Sequence, residues 1–573
     1  MKVIKKSLLL IICCVVFLSG CGVGNKVADA NAVSDTSKGS DSVDADAVNN
    51  AKENNIDAPV IELIEAPDDK YGTYYEIFVG SFYDSNGDGM GDFEGITQNL
   101  DYLNDGVSGS GDDLEIDGIW LMPIMPSDSY HKYDVKDYMA VDEKYGTMEE
   151  LEKLVAKCHE RGVKLIIDLP INHSADEHPW FTSAVEYLST LTEQEEPDSS
   201  VCPYVEYYTF SREKNSVTGA KLDNGWYYEA RFDSGMPDLN LDSEVLRDEI
   251  KAITDFWFDK GIDGFRLDGV KEYYSSQNDR NIEFLSWFEE MVCAQNPEAY
   301  LVGEVWDSAY NDYYSGGIDS LFDFSSANKD GMVSKLVNQS GINAKSFADS
   351  IVKSQDERMV KNEKAINAPF LSNHDMARAA GYFAGDDGLE KLKMAHAIIL
   401  TQSGNAFLYY GEELGMKGSG RDENKRGPMR WVENDNAEGM CDGPTEMEPV
   451  KQKYDSLELQ KTDENSLYCF VKKAISWRNK YPGIARGKMS TLQEINDETI
   501  FTLIKEYENQ NLLLIYNVGN DSREVDLSVI NDTFADKLLF AEGLTAREGV
   551  VSYNQDNNRI TLPGESVALF VCK

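Results

Sequence analysis

The residues Gly264-Phe-Arg-Leu-Asp-Gly-Val-Lys-Glu272 place a cation and a carboxylate at the end of an apolar run. Arg266 and Asp268 are two positions apart, and alternate side chains of a β-strand lie on the same face. An arginine beside an aspartate favours the ionised carboxylate, which is the state that a carboxylate nucleophile requires. A structural ion pair is the alternative interpretation, and the rest of the chain decides between the two.

Other apolar runs in the chain also carry acidic residues at or near their ends. In a barrel of parallel strands, such side chains converge at the face where active sites are built. The runs are residues 165–173, with Asp168, Asn172 and His173; residues 301–306, with Glu304; and residues 369–375, with His374 and Asp375.

Apolar strand-like runs alternate with amphipathic segments over most of the chain, and two such segments, residues 148–161 and 243–260, have helical spacing. This alternation predicts an α/β fold, a (β/α)8 TIM barrel, over residues 67–481. A doubly wound sheet alternates in the same way, but the repeated placement of polar residues after strands favours the barrel. The predicted strands are residues 75–79, 118–123, 163–169, 264–267, 300–303, 320–324, 368–372 and 406–410.

Two regions depart from the alternation. About 70 residues separate His173 from the next predicted helix, which is too long for a simple loop and predicts a small inserted domain at about residues 174–240. Its aromatic residues are expected mostly in its own core, with one or two contacting ligand. Residues 482–573 contain short alternating strands and turn residues, which predict a C-terminal antiparallel β-sandwich.

The N-terminus carries a localisation signal. Lys2, Lys5 and Lys6 precede an apolar run over residues 8–18, and then comes Leu18-Ser-Gly-Cys21, which resembles a bacterial lipobox. Residues 1–20 are therefore predicted to be a lipoprotein signal peptide, with Cys21 lipidated and residues 21–66 a disordered tether. This predicts a protein anchored on the extracytoplasmic face of a bacterial membrane by its lipid alone. A simple secretory signal is the alternative.

Charge and cysteine content exclude some classes of function. The 573 residues carry a formal charge of −47, from 101 acidic and 54 basic residues, which argues against a nucleic-acid partner. A neutral polymer is compatible with such a surface. The six cysteines after Cys21 are far apart and predict no zinc site, although one or two disulfides stay open.

The four strand-end segments, in this order, resemble the α-amylase family of glycoside hydrolases, and Met236-Pro-Asp-Leu-Asn240 resembles an additional signature of that family. The resemblance implies that Asp268 is the nucleophile, Glu304 the acid/base and Asp375 the stabiliser of the transition state. The inserted domain corresponds to domain B of the family. The residues that the resemblance places beside the sugar are Tyr133, His173, Arg266, Lys271, His374 and Arg378.

A loop after the first strand, residues 84–92, has oxygen-bearing side chains at nearly every second position, as calcium ligands require. It begins like an EF-hand, but Gly95 stands where the bidentate glutamate belongs. A turn without metal is the alternative, and a second family site is not predicted because Asn240 and Glu272 depart from its pattern. The resemblance implies structural Ca²⁺ held by Asp84, Asn86, Asp88, Asp92 and the carbonyl of Met90.

These features predict a monomeric, retaining, endo-acting α-amylase that cuts internal α-1,4 bonds of starch and maltooligosaccharides without an organic cofactor. Tyr130 stands where exo-acting relatives carry an aspartate, which favours an open cleft. The alternatives are an α-glucosidase, a neopullulanase-like hydrolase or an α-glucan transglycosidase. A non-enzymatic glucan-binding protein is disfavoured because all three carboxylates are present.

Overall fold

The computed structural model describes residues 61, 63–214, 219–275, 277–530 and 538–572. The predicted signal peptide, Cys21 and most of the predicted tether lie outside the described residues. Within the described part of the chain, no helix combines the length and apolar character needed to cross a membrane. The six cysteines found there are free thiols, so no disulfide forms among the described residues.

The described residues form an eight-stranded parallel sheet in the order β10-β9-β8-β7-β3-β2-β1-β11. A parallel bridge between Phe370 and Phe407 joins its two end strands, which closes the barrel and confirms the predicted fold. The strands up to this point are β1 Thr73–Ile77, β2 Gly118–Leu121, β3 Lys164–Leu169, β4 Phe210–Ser211, β5 Gly219–Lys221, β6 Tyr227–Glu229, β7 Gly264–Leu267, β8 Tyr300–Gly303, β9 Ser320–Phe322, β10 Ile366–Ala368 and β11 Ala406–Tyr409.

Aromatic side chains fill the inside of the barrel. Tyr74 stacks on Tyr300, with ring centroids 4.9 Å apart, and on Phe407 at 5.1 Å. Trp120 and Phe322 complete this buried layer, so the barrel interior is a packed core rather than a channel.

Helices cover the outside of the barrel, and several begin at the capping residues that the sequence supplies. Thr147 and Glu150 form a reciprocal capping box, and Ser243 caps the helix that precedes β7. The helices are α1 Phe93–Gln98, α2 Leu100–Leu103, α3 Met148–His159, α4 Pro179–Thr190, α5 Glu244–Asp259, α6 Asn278–Gln295, α7 Met332–Val337, α8 Ala344–Lys361, α9 Gly388–Thr401, α10 Asp422–Lys425, α11 Leu457–Gln460, α12 Leu467–Lys480 and α13 Gly483–Arg486.

The structure differs from the predicted alternation at two strands. The crossover from β8 to β9 is a 3₁₀ helix, Tyr310–Gly316, rather than an α-helix. The seventh barrel strand, β10, ends at Ala368, and only the single bridge at Phe370 continues the pairing predicted for residues 368–372. Short apolar runs define the centre of a strand better than its ends.

The segment between β3 and α5 contains α4 and the small antiparallel sheet β4-β6-β5. Bridges from His173 to Asp238 and from Tyr208 to Leu239 close its base. Its aromatic residues Tyr207, Tyr208, Trp226 and Tyr228 are buried, as predicted for a small core.

After α13 the chain forms two antiparallel sheets, as predicted for the C-terminal region. The first has the order β12-β13-β14-β19-β16 and the second the order β15-β18-β17. Ile515, Ile560 and Phe570 lie in the buried apolar core of this region. The strands are β12 Lys488–Ser490, β13 Ile500–Tyr507, β14 Gln510–Asn517, β15 Arg523–Asp526, β16 Leu538–Thr545, β17 Ser552–Asn554, β18 Arg559–Leu562 and β19 Ser566–Cys572.

Candidate active site

One buried arginine joins three carboxylates at the mouth of the barrel. Arg266 on β7 donates to Asp268 at 2.6 Å and to Glu304, just after β8, at 2.7 Å. It also donates to Asp168 on β3 at 3.0 Å, the residue that is its direct partner across the strand pair. The alternation of side chains along neighbouring parallel strands therefore brings these four groups together.

The environment of Glu304 suits a general acid. Burial raises the pKa of Glu304 to about 7; Arg266 opposes the shift, and the negative charges of Asp268 and Asp375 add to it. The amide of Gly269 donates to the Glu304 carboxylate at 3.2 Å. The side chain therefore exchanges its proton near neutral pH, where an acid/base catalyst works best.

Asp375 lies between two cationic partners. Its carboxylate contacts His374 Nε2 at 3.2 Å and accepts a hydrogen bond from Arg426 at 3.0 Å. Burial alone would raise the pKa of Asp375, but His374 and Arg426 outweigh it and hold that pKa well below its usual range. The carboxylate is consequently ionised, and its side chain is 35% exposed.

His374 is held by a second carboxylate from the first strand. Its Nδ1 lies 2.5 Å from Glu76 on β1. Burial would lower the pKa of His374, but Asp375 and Glu76 raise it to about 9, so the ring is a cation at neutral pH. Tyr133 stacks on the same ring, and its hydroxyl lies 2.8 Å from His374 Nε2 and 3.0 Å from Asp168.

The inserted domain contributes one wall. The ring of Phe232, which is 50% exposed, meets the edge of buried His173 with centroids 5.3 Å apart. It also lies close to Gly269, whose positive φ of 53° turns the chain directly after Asp268. Arg231 forms an ion pair with Glu272 at 3.4 Å. Domain B is thereby fixed beside the predicted nucleophile.

A second exposed ring lies in the segment that follows β8. Trp306 is 46% exposed and stacks on Phe324, with ring centroids 4.7 Å apart. The ammonium group of Lys271 donates to the carbonyl of Trp306 at 3.3 Å, at the rim of the cleft. This bond joins the segment after β7 to the segment after β8, and a contact of Lys271 with the sugar stays a prediction.

Arg378 does not reach the cleft, in contrast to its prediction as a substrate-binding residue. Its guanidinium group is buried and donates to the carbonyls of Lys425 at 2.8 Å and Tyr410 at 2.6 Å. It also lies over the rings of Tyr409 and Tyr410. These bonds make Arg378 a link between the chain after β10 and the chain after β11.

The loop predicted to bind calcium folds around its own carboxylates. Asp84 accepts hydrogen bonds from the amides of Gly87 and Gly89 at 2.7 and 2.8 Å, and Asp92 caps α1. Asp88 accepts from the amide of Met90 at 2.9 Å. Among the described residues, no three Asp, Glu, His or Cys side chains form a preformed metal site. The oxygen donors nevertheless suit Ca²⁺, since no Lys or Arg neutralises Asp84, Asp88 or Asp92 in the described chain.

Two groups of this site were not assigned from sequence. Glu76 is a single acid inside an apolar strand, and that anomaly is a usable signal of a functional group. Arg426 directly follows the short helix α10, 51 residues beyond Asp375, without a motif around it. Only the folded chain identifies it.

The fold and the site together define a barrel glycoside hydrolase. The family model described as "Alpha amylase, catalytic domain" matches residues 76–487. The chain therefore belongs to the alpha-amylase family of glycoside hydrolases.

Known relatives of the chain differ in their named activities. Alpha-amylase 3 of Dictyoglomus thermophilum is 35% identical over 482 residues, covering 82% of this chain and 90% of that protein. Oligo-1,6-glucosidase of Parageobacillus thermoglucosidasius is 29% identical over 539 residues, covering 78% and 90%. The solved structure of Eubacterium rectale Amy13B is 42% identical, covers 89% of this chain and 97% of its own, and superposes with a TM-score of 0.84.

Proposed function

We propose that the protein is a retaining, endo-acting α-amylase that hydrolyses internal α-1,4 bonds of starch and maltooligosaccharides. The observation that carries the proposal is the bridge from one guanidinium group, Arg266, to both Asp268 and Glu304. A shared cation supports the short separation of about 5 Å that retaining enzymes use, rather than the wider gap of inverting enzymes.

The chemistry follows from the state of each group. Glu304 donates its proton to the glycosidic oxygen while Asp268 attacks the anomeric carbon, so the C–O bond breaks and a glycosyl-enzyme forms. The Glu304 carboxylate then takes a proton from water, which displaces Asp268 and returns the sugar with its original configuration. Asp375, ionised between His374 and Arg426, stabilises the positive charge that develops on the sugar ring.

The two exposed aromatic walls support an open, extended cleft. Sugar rings stack on aromatic faces, and Phe232, close to Gly269, and Trp306, two residues after Glu304, present exposed rings. Tyr130, in the position where exo-acting relatives carry an aspartate, accepts a hydrogen bond from Arg426 at 3.1 Å. A tyrosine there adds no carboxylate that would bind the end of a glucan chain.

A second candidate is an α-glucosidase, because oligo-1,6-glucosidase of Parageobacillus thermoglucosidasius covers most of the chain. The products of soluble starch and pullulan separate the two, with Asp268→Asn as the inactive control. Endo-acting hydrolysis gives mixed maltooligosaccharides early from starch and little from pullulan. Glucose alone favours the glucosidase, and panose from pullulan favours a neopullulanase. Products longer than maltotriose, with maltotriose as the substrate, favour a transglycosidase. A native chain without activity contradicts the enzyme assignment.

We propose that the loop of residues 84–92 holds one structural Ca²⁺ through Asp84, Asn86, Asp88, Asp92 and the carbonyl of Met90. When bound, the ion neutralises these carboxylates and stiffens the loop after β1. Chelation is expected to lower the melting temperature of the native chain, and added Ca²⁺ to restore it. Asp88→Asn should lose this response, and an unchanged melting temperature would remove the metal from the proposal.

We further propose that the protein acts as a monomer on the extracytoplasmic face of a bacterial membrane, held only by a lipid on Cys21. The support is the basic, apolar and Leu-Ser-Gly-Cys pattern of residues 1–21. Growth with a labelled fatty acid should label the native protein at Cys21, whereas Cys21→Ser should take up no label. A native protein without label would contradict the lipid anchor, and sedimentation tests the monomer.

A further inference from the structure

A cavity of about 140 Å³ lies at the end of the barrel opposite to the carboxylates. Its lining includes Tyr71, Ala365 and Gly404, which precede β1, β10 and β11. The chain enters its strands at this end, so the cavity belongs to the N-terminal face of the barrel. Features of this face usually concern stability rather than catalysis.

The cavity lies at the junction of the barrel with the C-terminal sheets. Helix α8 packs on β12 and β13, and Gln355 exchanges two hydrogen bonds with the backbone of Met489, at 3.1 and 2.8 Å. The lining also includes Arg486 and Gly487, where the chain passes from α13 to β12. A group bound here would contact both parts of the fold.

Three basic side chains are buried around this junction without a carboxylate partner. Arg358 and Arg478 are each 3% exposed, and Lys505 is fully buried. Among the described residues, none of the three forms an ion pair. Burying an uncompensated charge is costly, so such a group either loses its charge or acquires a counter-ion, and an arginine keeps its charge.

The partners of these side chains are neutral. Arg478 donates to the carbonyls of Leu400 at 3.1 Å and Gln402 at 2.8 Å. Lys505 donates to the hydroxyl of Ser403 at 2.8 Å. Burial, with the nearby charges of Arg478 and Arg358, holds the pKa of Lys505 well below its usual value.

Arg358 is the least satisfied of the three and lines the cavity. Its Nη1 reaches only the carbonyl of Ser354 in its own helix, at 3.5 Å, and its buried Nε has no hydrogen-bond partner among the described residues. A guanidinium group presents paired donors that match the oxygens of an oxyanion.

Two buried or partly buried carboxylates lie nearby, and both already have partners. Asp69 accepts two hydrogen bonds from Arg486, at 2.9 and 2.8 Å. Asp117 accepts a hydrogen bond from the amide of Thr73 at 2.7 Å. Glu363 also lines the cavity but is exposed, as is Lys488. The junction therefore gathers more basic groups than buried carboxylates in a chain whose formal charge is −47.

We propose that this cavity binds a small inorganic oxyanion through Arg358, at the junction between the barrel and the C-terminal sheets. The anion compensates the buried positive charge and fastens α8 to the chain after α13. The site is independent of the hydrolytic function, because it lies on the opposite face of the barrel.

The test is the melting temperature of the whole chain as sulfate is titrated at constant ionic strength, with gluconate as the replacement anion. Sulfate stabilises proteins in general by exclusion from their surfaces, and this effect does not saturate. A specific site adds a saturable rise, of about 3 °C at a hundredfold excess over the Kd. Arg358→Gln should lose only the saturable part.

Lys361→Gln is the matched control, because Lys361 is an exposed cation at the end of the same helix and pairs with Asp312. It should keep the saturable rise. If Arg358→Gln fails to fold, selenate soaked into crystals of the native chain gives a second measurement, with an anomalous peak expected within hydrogen-bond distance of Arg358. A purely linear response in the native chain, or no peak there, would overturn the proposal.

Discussion

Each end of the barrel buries an arginine, but the two arginines have different hydrogen-bond partners. At the mouth, Arg266 is fully buried and its nitrogens donate to Asp168, Asp268 and Glu304. At the base, Arg478 is equally buried but donates to backbone carbonyls. The carboxylates that Arg266 contacts include the two groups proposed to react, whereas the carbonyls that Arg478 contacts only fix the backbone. The partner of a buried arginine, and not its burial, therefore indicates whether the arginine serves the reaction.

The largest expected effects come from replacing either arginine, and they test this contrast. Arg266→Met leaves buried Asp168 and the partly buried Asp268 and Glu304 without their cation, so kcat/KM should fall on the order of 10⁴-fold. Arg478→Met removes bonds to carbonyls far from the cleft, so the melting temperature should fall while kcat/KM stays within about twofold. Kinetics and thermal unfolding of both variants measure the two effects.

Arg266→Lys keeps a positive charge and serves as a control for folding. It should retain more activity than Arg266→Met without reaching the native value, because an ammonium group cannot bridge two carboxylates in a plane. If folded Arg478→Met lost activity as severely as Arg266→Met, the contrast between the two ends would be wrong.

The buried histidine at the mouth of the barrel should also make the free energy of unfolding depend on pH. The pKa of His374 is about 9 in the folded chain against an ordinary 6.5, so the folded state keeps a proton that the unfolded state releases. This stabilisation is fully present below pH 6.5 and is lost as the pH rises through 9, by about 3 kcal/mol. Denaturant unfolding at pH 6 and 10 should show this loss in the native chain and not in His374→Gln. Equal losses in both would contradict it.

A smaller effect separates Arg426 from the exposed arginine of the same loop. Arg426→Gln removes a charge-assisted bond to Asp375, worth about 10- to 100-fold in kcat with little change in KM. Arg426→Lys should restore part of the rate. Arg421→Gln, which removes an exposed arginine paired with Glu423, should leave kcat unchanged. A rise in KM with kcat unchanged would assign Arg426 to substrate contact instead of positioning.

The sequence predicted the barrel because alternation and strand-end acids are local signals. Asp268, Glu304 and Asp375 each follow an apolar run, and the closed sheet brings those ends together. The boundaries were less predictable, since β10 ends at Ala368 where the apolar run continues. Pairing with a neighbour, rather than composition, decides where a strand stops.

The supporting groups could not be predicted in the same way. Arg426 reaches Asp375 from a loop that has no repeating pattern. Arg378 follows the His374-Asp375 motif closely in sequence, yet its guanidinium group turns into the protein and bonds to Tyr410. Which of two nearby arginines faces the cleft depends on long-range loop packing.

The barrel closes between β10 and β11 through the bridge of Phe370 with Phe407 and through amide-to-carbonyl bonds from Asn405 to Asn367 and from Phe407 to Pro369. The ion pair of His374 with Glu76 spans this seam from the loop after β10 to β1, and the bond from Arg426 to Asp375 joins the loops that follow β10 and β11. The contacts that prepare Asp375 therefore also hold the cylinder shut. On the proposed function, hydrolytic activity therefore reports on the closure of the barrel: a molecule that has begun to open at this seam is expected to stop cutting glucan before it has unfolded.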